Sequence, residues 1–450
     1  MSKKQAALEL GTKPVGKLLM QYALPAIVAM VASSLYNMVD SIFIGQGVGA
    51  LAISGLAVTF PFMNLSAAFG AAIGVGSSTF LSVKLGQRDY EIANRILGNC
   101  VMLNVIVGIA FGGVGLLFLE PILRFFGASE YTLPYAYEYM VIILLGNVIT
   151  HLYLGLNAIL RSAGKPRVAM YTTIFTVVLN AILDPLFIYT LDMGIRGAAC
   201  ATILSQIVAL SWQWMIFSKK EELLHFDYSK FHIEAPIVSN IIGIGISPFS
   251  MNACACLVVI FINNALASYG GDMAVGAYGI ANRVSFVFVM VTMGVCQGMQ
   301  PIAGYNYGAE NYHRMLEVLK LASIAATAVC MVGFSIAMFC PEACVRMFTT
   351  DETLIATSVT AMRYMMAFFC IIGTQMIIPN FFQSIGKAKI SIFLSLSRQL
   401  MFLVPMVLIL PKYWGLEGVW LAMPLSDVVA AIMAYAMIFW YIKTLNIKKL

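Results

Sequence analysis

The hydrophobic positions of this 450-residue chain form twelve apolar runs of about 20 residues, separated by short polar connections. The runs start near Val15, Ala52, Ala93, Pro134, Val168, Gly197, Asn240, Val275, Leu321, Ser358, Ser391 and Gly418. A run of about 20 apolar residues crosses the hydrocarbon core of a bilayer as one helix. The pattern therefore predicts an all-α integral membrane protein with twelve transmembrane helices.

The polar connections between these runs repeat along the chain. The segment GQRDYEIANRIL from Gly86 returns as GAENYHRMLEVL from Gly308, 222 residues later, and Pro25 returns as Pro248. Duplicated halves of this kind build transporters whose substrate site lies between the two halves. We therefore expect two six-helix repeats.

The one sizeable polar stretch, SKKEELLHFDYSKFHIEAP from Ser218, joins the sixth run to the seventh. We expect a first lobe of helices 1 to 6 at residues 1–217, a cytoplasmic linker at 218–235 and a second lobe of helices 7 to 12 at 236–450. The Gly-x-x-x-x-Gly-Lys-Ser/Thr spacing that cradles phosphates is absent from the sequence, so the chain is not expected to hydrolyse ATP. The energy source is then an ion gradient, a partner subunit or a gradient of the substrate.

Composition and charge agree with a membrane protein. The chain is 60% hydrophobic and 11% charged, with a mean hydropathy of +0.87, far from soluble domains. Of 27 Lys and Arg residues, 21 lie at the termini or at even-numbered connections, and four of them are Lys3, Lys4, Lys13 and Lys17. This bias predicts that both termini are cytoplasmic. It also accounts for the net charge of +6, so we expect no nucleic-acid partner.

Few acidic residues fall within the apolar runs, where a charge costs several kcal/mol unless it is paired or hydrated. These are Asp40, Glu138, Asp184 and Asp427. Asp184 stands about 24 Å along the fifth run, with Asn180 one turn earlier on the same face and Pro185 directly after it. The Asp184 carboxylate, the Asn180 amide oxygen and the backbone carbonyl that Pro185 leaves free can bind Na⁺, or the carboxyl can carry a proton. The alternative is a polar contact between packed helices.

Asp40 lies at the end of the first run, with Tyr36 one turn earlier and Asn37 three residues earlier. A kink at Pro25, in the middle of this run, can swing Asp40 toward Asp184. The alternative is an exposed cap at the outer surface.

The two halves differ at these positions. By the repeat, Asp40 corresponds to Asn263, and Asp184 falls at Pro405 or Met406. We therefore expect ion coupling in the first half, while the second half supplies a moving wall and part of the substrate cavity.

Two further features have both a functional and a structural interpretation. Asp427 can form a buried structural ion pair with Arg398 or Arg363. The 28 Met residues and 12% aromatic residues can line an adaptable apolar cavity or serve as ordinary membrane packing.

Four segments resemble multidrug and toxic compound extrusion (MATE) transporters, especially the bacterial DinF-like and MepA-like branches. They are YNMVDSIFIGQG from Tyr36, NAILRSAGKPR from Asn157, NAILDP from Asn180 and GIGISP from Gly243. The resemblance covers essentially the whole chain and implies a V-shaped, bilobed bundle in the bacterial cytoplasmic (inner) membrane. It implies secondary active multidrug efflux, in which amphipathic organic cations leave in exchange for Na⁺ or H⁺. We expect a monomer with no cofactor besides the coupling ion.

The resemblance also implies a polar cluster in the first lobe that carries the coupling cation. Its expected members are Asp40, Asn180, Asp184, Thr202, Tyr139 and Asn157, and a Na⁺ ion would lie at Asp40, Asn180, Asp184 and Thr202. Asn157 follows Tyr139 by 18 residues, about 27 Å of ideal helix, so both serve one site only if the cavity is elongated or the helix irregular. For the substrate cavity we expect Tyr36, Asn37 and Gln297. Several MATE relatives carry an acidic residue at the position of Gln297.

Two other functions compete with transport of cations. A membrane enzyme needs clustered carboxylates holding Mg²⁺ or a His-based site, and this chain has four His and no paired-Asp motif, so we expect no enzymatic activity. A flippase for a lipid-linked oligosaccharide has a related architecture and is the alternative. Its cavity needs several basic residues for a pyrophosphate, and the candidates here are Arg283, Arg363 and Arg398.

Overall fold

The computed structural model describes residues 9–449, and all regular secondary structure in those residues is helical. Lys3 and Lys4, which entered the orientation argument, lie outside them. After a helical turn at residues 9–12, the helices of the first half are α1 Val15–Gly47, α2 Ala50–Gly86, α3 Tyr90–Leu117, α4 Leu119–Phe125, α5 Leu133–Leu145, α6 Asn147–Ser162, α7 Pro166–Pro185 and α8 Ile195–Phe217. Those of the second half are α9 Ala235–Gly308, α10 Tyr312–Phe339, α11 Pro341–Arg346, α12 Glu352–Met365, α13 Phe369–Ser384, α14 Ala388–Leu396, α15 Val404–Ile409 and α16 Pro411–Lys449.

Shorter turns complete this order. A π-helical turn, Leu186–Thr190, continues α7, and a second, Ser397–Leu403, joins α14 to α15. A 3₁₀ turn, Tyr228–Lys230, lies between α8 and α9.

The described residues contain the twelve spans expected from the sequence. Nine helices are long and apolar enough to cross a bilayer, and two bent pairs, α5 with α6 and α12 with α13, each form one further span. The 74-residue α9 holds two of the twelve, because Gly271 has a non-helical φ of 64° and 74 residues of helix measure about 110 Å.

The backbone repeats at the same interval as the sequence. Arg88 has a φ of 60° and Glu310, 222 residues later, has a φ of 56°. Gly164 and Gly386 form a second such pair, with φ values of 84° and 76°. The two bent pairs also correspond, with angles of 56° and 52°. The duplication thus fixes turns and helix breaks as well as helix lengths.

Two arginines in corresponding connections each bridge two glutamates. Arg124 lies 2.9 Å from Glu120 and 2.6 Å from Glu130, and Arg346 lies 2.8 Å from Glu342 and 3.0 Å from Glu352. The hydrogen bond from Arg124 holds the pKa of the Glu130 carboxyl below its ordinary value. Because these side chains are exposed, each pair contributes little stability, and its main effect is to fix the shape of the connection.

Packing divides the chain into two compact units. The first contains the described residues up to Pro14, Val28–Phe249 and Gly304–Tyr312, and the second contains Val15–Ile27, Ser250–Ala303 and the described residues from His313 onward. Both α1 and α9 pass from one unit to the other, close to the related prolines Pro25 and Pro248. The lobes at 1–217 and 236–450 are a different division of the chain, and they stay a prediction.

The linker between α8 and α9 is bound to α3 by side chains of one helical turn. Asn94 Oδ1 accepts a hydrogen bond from His225 N at 3.0 Å, Asn99 Oδ1 accepts one from Glu234 N at 2.8 Å, and Arg95 forms an ion pair with Glu234. The Arg95 guanidinium holds the pKa of the Glu234 carboxyl below its ordinary value. This pair therefore contributes stability above the ordinary range of Glu and loses it as the pH falls through the lowered pKa.

Aromatic packing holds the same linker. The ring centroid of Phe226 lies 4.3 Å from that of Trp214 and 5.5 Å from that of Phe231, and Phe226 is buried. Aromatic pairs at such separations stabilise by about 0.5–1.5 kcal/mol beyond the area they bury. The linker is thus a fixed part of the first unit, and it determines where α9 begins.

Two glycines of α3 test this conclusion. A Cβ added at Gly98 would lie 2.4 Å from the backbone oxygen of Lys230, whereas one added at Gly113 would meet nothing within 4 Å. Gly98→Ala should therefore push the linker away and destabilise the protein by about 1–3 kcal/mol. Gly113→Ala is the matched control and should be neutral or stabilising by about 0.4–1 kcal/mol.

The measurements are thermal unfolding in detergent and limited proteolysis within residues 218–235. Gly98→Ala should lower the Tm and speed cleavage of the linker. Equal Tm values and equal cleavage rates for the two variants would contradict a linker that is fixed on α3.

Candidate functional site

Two carboxyl groups meet inside the first unit. Asp40 on α1 is 6% exposed and Asp184 on α7 is 0% exposed. The two side chains lie within hydrogen-bonding reach of each other. Two bare carboxylates in such a place repel each other strongly, so the pair is stable when it shares a proton or another cation. The exposed cap considered for Asp40 is wrong, because the residue is buried and α1 continues beyond it to Gly47.

Neutral polar groups connect this pair to neighbouring helices. The Asn180 amide lies 3.3 Å from Asp184 Oδ1 and 3.4 Å from Thr202 Oγ1, measured from Nδ2. In the orientation that satisfies both ends of the amide, its nitrogen donates to Asp184 Oδ2 at 3.0 Å and its oxygen accepts from Thr202 N at 3.1 Å. Thr202 Oγ1 lies 2.8 Å from the hydroxyl of Tyr36. Thr202 on α8 therefore links α7 to α1.

The local sequence of α7 explains the position of its polar groups. Asn180 and Asp184 are four residues apart, so they lie on one face of the helix. Pro185 has no N–H to give to the carbonyl of Ala181, and the helix continues as the π-helical turn Leu186–Thr190. Such a turn is rare and is frequently found at functional sites.

One oxygen of the pair has no partner in the part of the chain that the structure describes. Asp40 Oδ1 is buried and has no hydrogen bond among the described residues. An unsatisfied buried polar atom costs about 1–3 kcal/mol, and more when it is charged. A cation bound there offsets that cost, and the nearby carboxyl and hydroxyl oxygens are the hard ligands that H⁺ and Na⁺ prefer.

The structure treats Tyr139 and Asn157 differently. Tyr139 on α5 is fully buried beside Thr202 and interacts electrostatically with both carboxyl groups. Asn157 on α6 instead donates through Nδ2 to Thr172 Oγ1 at 3.1 Å and Thr173 Oγ1 at 3.2 Å. The span that holds both residues is bent by 56° where α5 meets α6. Thr172 is eight residues, about 12 Å, before Asn180 on α7, so Asn157 does not contact the carboxyl pair directly.

The residues expected to line a substrate cavity are also separated. Tyr36 belongs to the carboxyl cluster through Thr202. Asn37 lies in α1, and its side chain is outside the described part of the structure. Gln297 is a half-buried residue of α9 in the second unit.

Sequence reasoning missed several polar residues on α6 and α7 that surround Asn157. These are Tyr153, Arg161, Thr172, Thr173 and Thr176. Spacing could have revealed all of them except Thr173, because 153, 157 and 161 on one helix and 172, 176, 180 and 184 on the next each recur every four residues. Such spacing places side chains on one face.

Asp427 forms the structural ion pair considered above. Its Oδ1 accepts a hydrogen bond from Arg398 Nε at 2.7 Å, and Asp427 is buried in the second unit. Arg363, the other possible partner, is exposed on α12.

The profile of the MatE family matches residues 25–186 and 248–409, two segments that begin 223 residues apart and together cover more than two thirds of the chain. Curated relatives include "Multidrug export protein MepA" of Staphylococcus haemolyticus (strain JCSC1435), 25% identical over 433 residues, covering 96% of this chain and 95% of that protein. Another is "Multidrug export protein MepA" of Staphylococcus aureus (strain NCTC 8325 / PS 47), 26% identical over 426 residues, covering 95% and 94%.

Solved structures resemble the whole chain. An outward-facing multidrug resistance MATE family transporter of the MOP superfamily superimposes with a TM-score of 0.92 at 25% identity, covering 98% of each chain. A MOP superfamily transporter from Pyrococcus furiosus Vc1 (DSM3638), described as having a binding pocket of reverse polarity, gives a TM-score of 0.91 at 26% identity and covers 98% of each chain.

The Arg398–Asp427 pair leads to a test that separates structural from functional acids. Asp427→Asn would leave the Arg398 guanidinium largely buried without its carboxylate, which should destabilise the protein by about 2 kcal/mol. Thermal unfolding in detergent should show a lower Tm, while transport per folded molecule should stay near the wild-type value. Arg363→Gln, at an exposed position, is the control and should change stability by at most about 0.5 kcal/mol. Loss of transport at an unchanged Tm would show that Asp427 is not structural.

Proposed function

Because this chain belongs to the MatE family, we propose that it exports amphipathic organic cations in exchange for Na⁺ or H⁺ moving inward. It is a multi-pass membrane protein and a multidrug efflux transporter, as its relatives are. The proposal adds the charge of the substrate, the coupling cation and the residues that hold it.

The observation that carries the proposal is the buried carboxyl pair of Asp40 and Asp184, in which Asp40 Oδ1 has no hydrogen-bond partner among the described residues. An acidic pair inside an apolar unit is expensive unless it binds a cation. Asn180, Thr202 and Tyr36 supply further oxygen and nitrogen atoms within one hydrogen bond of the pair or of each other. We assign the coupling cation to this cluster.

The membrane potential explains why a coupling cation is needed. With the inside negative, export of one positive charge costs about 2.3 kcal/mol per 100 mV. At least one cation must move inward for each exported monovalent cation to offset this work. Met and aromatic side chains, which make up much of this chain, suit flat apolar ring systems and the positive charge they carry.

Orientation is part of the same proposal. The concentration of Lys and Arg at the termini and even-numbered connections supports cytoplasmic termini. We infer that the chain works as a monomer in a bacterial cytoplasmic membrane and that its cations leave the cell.

The assigned site predicts the effect of neutral substitutions. Asp184→Asn keeps the size of the side chain and its contact with Asn180 but cannot exchange a cation, so coupled export should be abolished while the Tm is retained. Asp40→Asn should have nearly the same effect, and the double variant should be little worse than either because the two groups act as one site. The measurement is efflux of a cationic dye from reconstituted vesicles. Wild-type efflux by Asp184→Asn would remove the assigned site.

The coupling mechanism predicts which gradients drive transport. Efflux of an ethidium-like dye should follow an imposed Na⁺ gradient, pH gradient or both, and should stop when both are collapsed, even with ATP present. Anionic dyes should be rejected, because buried carboxylates repel them in a low-dielectric site. Efflux that persists without gradients, or a preference for anionic dyes, would contradict the exchange mechanism. Thermal stabilisation by a pyrophosphate lipid but by no cationic dye would favour a flippase instead.

A further inference from the structure

A polar stripe follows α7 away from the carboxyl pair. Thr172, Thr176, Asn180 and Asp184 recur every four residues and so lie on one face of the helix. Three of them, at 172, 180 and 184, are at most 1% exposed. Each step along the stripe measures about 6 Å, and the stripe runs from the carboxyl pair toward the beginning of α7, the end of this helix that the charge pattern predicts to be cytoplasmic.

A second stripe on α6 faces the first. Tyr153, Asn157 and Arg161 also recur every four residues. The Tyr153 hydroxyl lies 3.5 Å from Thr173 Oγ1 and is also close to Thr176. The contacts of Asn157 with α7, described above, lie one turn further along both helices. The two stripes therefore form one polar seam between α6 and α7.

The seam joins the carboxyl pair at its other end. Tyr153 lies close enough to Tyr36 to interact electrostatically with it, and the Tyr36 hydroxyl contacts Thr202 at 2.8 Å. Thr176 and Asn180 are one turn apart on α7. A single water can bridge polar groups across such a step.

The far end of the seam holds a cation and an unsatisfied acceptor. Arg161 Nη1 donates to Asn157 Oδ1 at 2.5 Å, and within the part of the chain that the structure describes Arg161 forms no ion pair. The nearby Lys165 pairs with Glu222 at 2.9 Å. Gln213 on α8 is fully buried and donates to Thr172 Oγ1 at 3.4 Å, while its Oε1 has no partner among the described residues.

From this arrangement we propose that the seam is the route by which the coupling cation passes between the Asp40–Asp184 pair and the cytoplasm, with Arg161 as its gate. The inference rests on the function proposed above. The hydroxyl and amide groups of Tyr153, Asn157 and Thr176 hand a proton on or coordinate a partly hydrated Na⁺.

The charge of Arg161 determines when the route is open to a cation. A fixed guanidinium raises the energy of any cation that passes beside it, since like charges at a few ångströms repel by several kcal/mol at an effective dielectric constant of about 20. While Asn157 holds the guanidinium, the route is closed, so the gradient does not dissipate without export. Movement of Arg161 away from Asn157 opens it.

Tyr153→Phe tests the route. The variant removes the hydroxyl that contacts Thr173 and Thr176 and keeps the ring, so coupled efflux should slow about tenfold, the usual loss for a partner that supports an ion site. Binding of a cationic dye at equilibrium and the Tm should both be unchanged. A merely structural defect would instead alter binding and Tm together. Tyr278→Phe, at a buried tyrosine of the second unit, is the matched control and should transport at the wild-type rate.

Arg161→Gln tests the gate. In vesicles without substrate this variant should dissipate an imposed gradient faster than wild type, whereas Arg161→Lys, which keeps the charge, should not. Arg167→Gln removes an exposed charge at the start of α7 and is the control. Parallel measurements with a pH-sensitive dye and with ²²Na⁺ separate a proton leak from a Na⁺ leak.

The outcomes separate the route from the transport function. Wild-type efflux by Tyr153→Phe together with a tight Arg161→Gln variant would overturn the route and gate, and the transport function would stand if Asp184→Asn is still inactive. If Asp184→Asn exports normally, the assigned cation site itself fails, whatever the seam variants do. A tenfold slower Tyr153→Phe with a lowered dye affinity would assign the seam to substrate binding and would also overturn the route.

Discussion

The structure of the first unit depends on keeping two carboxyl groups together in an apolar interior. Asp40 and Asp184 come from helices that are distant in sequence, so α1, α7 and α8 must pack closely for the pair to form. Their mutual repulsion and loss of hydration oppose that packing. In the function proposed above, a shared cation removes the repulsion, so cation binding favours the packing of these helices.

The two duplicated halves share one pattern of turns and helix breaks, but their buried acidic residues differ. Turns with positive φ, bent helix pairs and Arg–Glu bridges recur about 222 residues apart. The carboxyl pair does not recur, because Asn263 and either Pro405 or Met406 occupy the related positions. The second unit instead satisfies its buried acid within the chain, through Asp427 and Arg398. One unit thus buries two carboxyl groups beside each other, whereas the buried Asp427 of the other unit is paired with an arginine.

Much of this fold follows from the sequence, because apolar run length and repeat period act locally. The twelve spans and the repeat could be inferred from them, whereas the proximity of Asp40 to Asp184 was implied only by the kink at Pro25 and by the family resemblance. The place of Asn157 could not, since it depends on the 56° bend between α5 and α6. The hydrogen bonds of the linker to Asn94 and Asn99 could not be inferred from the sequence either, because single amides at a polar helix end form no distinctive pattern.

The free-energy cost of placing polar side chains in a membrane explains why those of α6 and α7 lie opposite one another. A single threonine or asparagine can satisfy itself on its own helix, as Thr176 does by donating to the carbonyl of Thr172. Packing alone therefore does not require polar groups on two helices to face each other over successive turns, as those of Tyr153 and Asn157 face α7. A cation that moves through an apolar unit does require this arrangement. At each step the cation needs a new oxygen ligand within reach before it leaves the previous one. Among the described residues, the buried oxygens Asp40 Oδ1 and Gln213 Oε1, one near each end of this arrangement, have no hydrogen-bond partner, and a passing cation or the water that accompanies it would satisfy them.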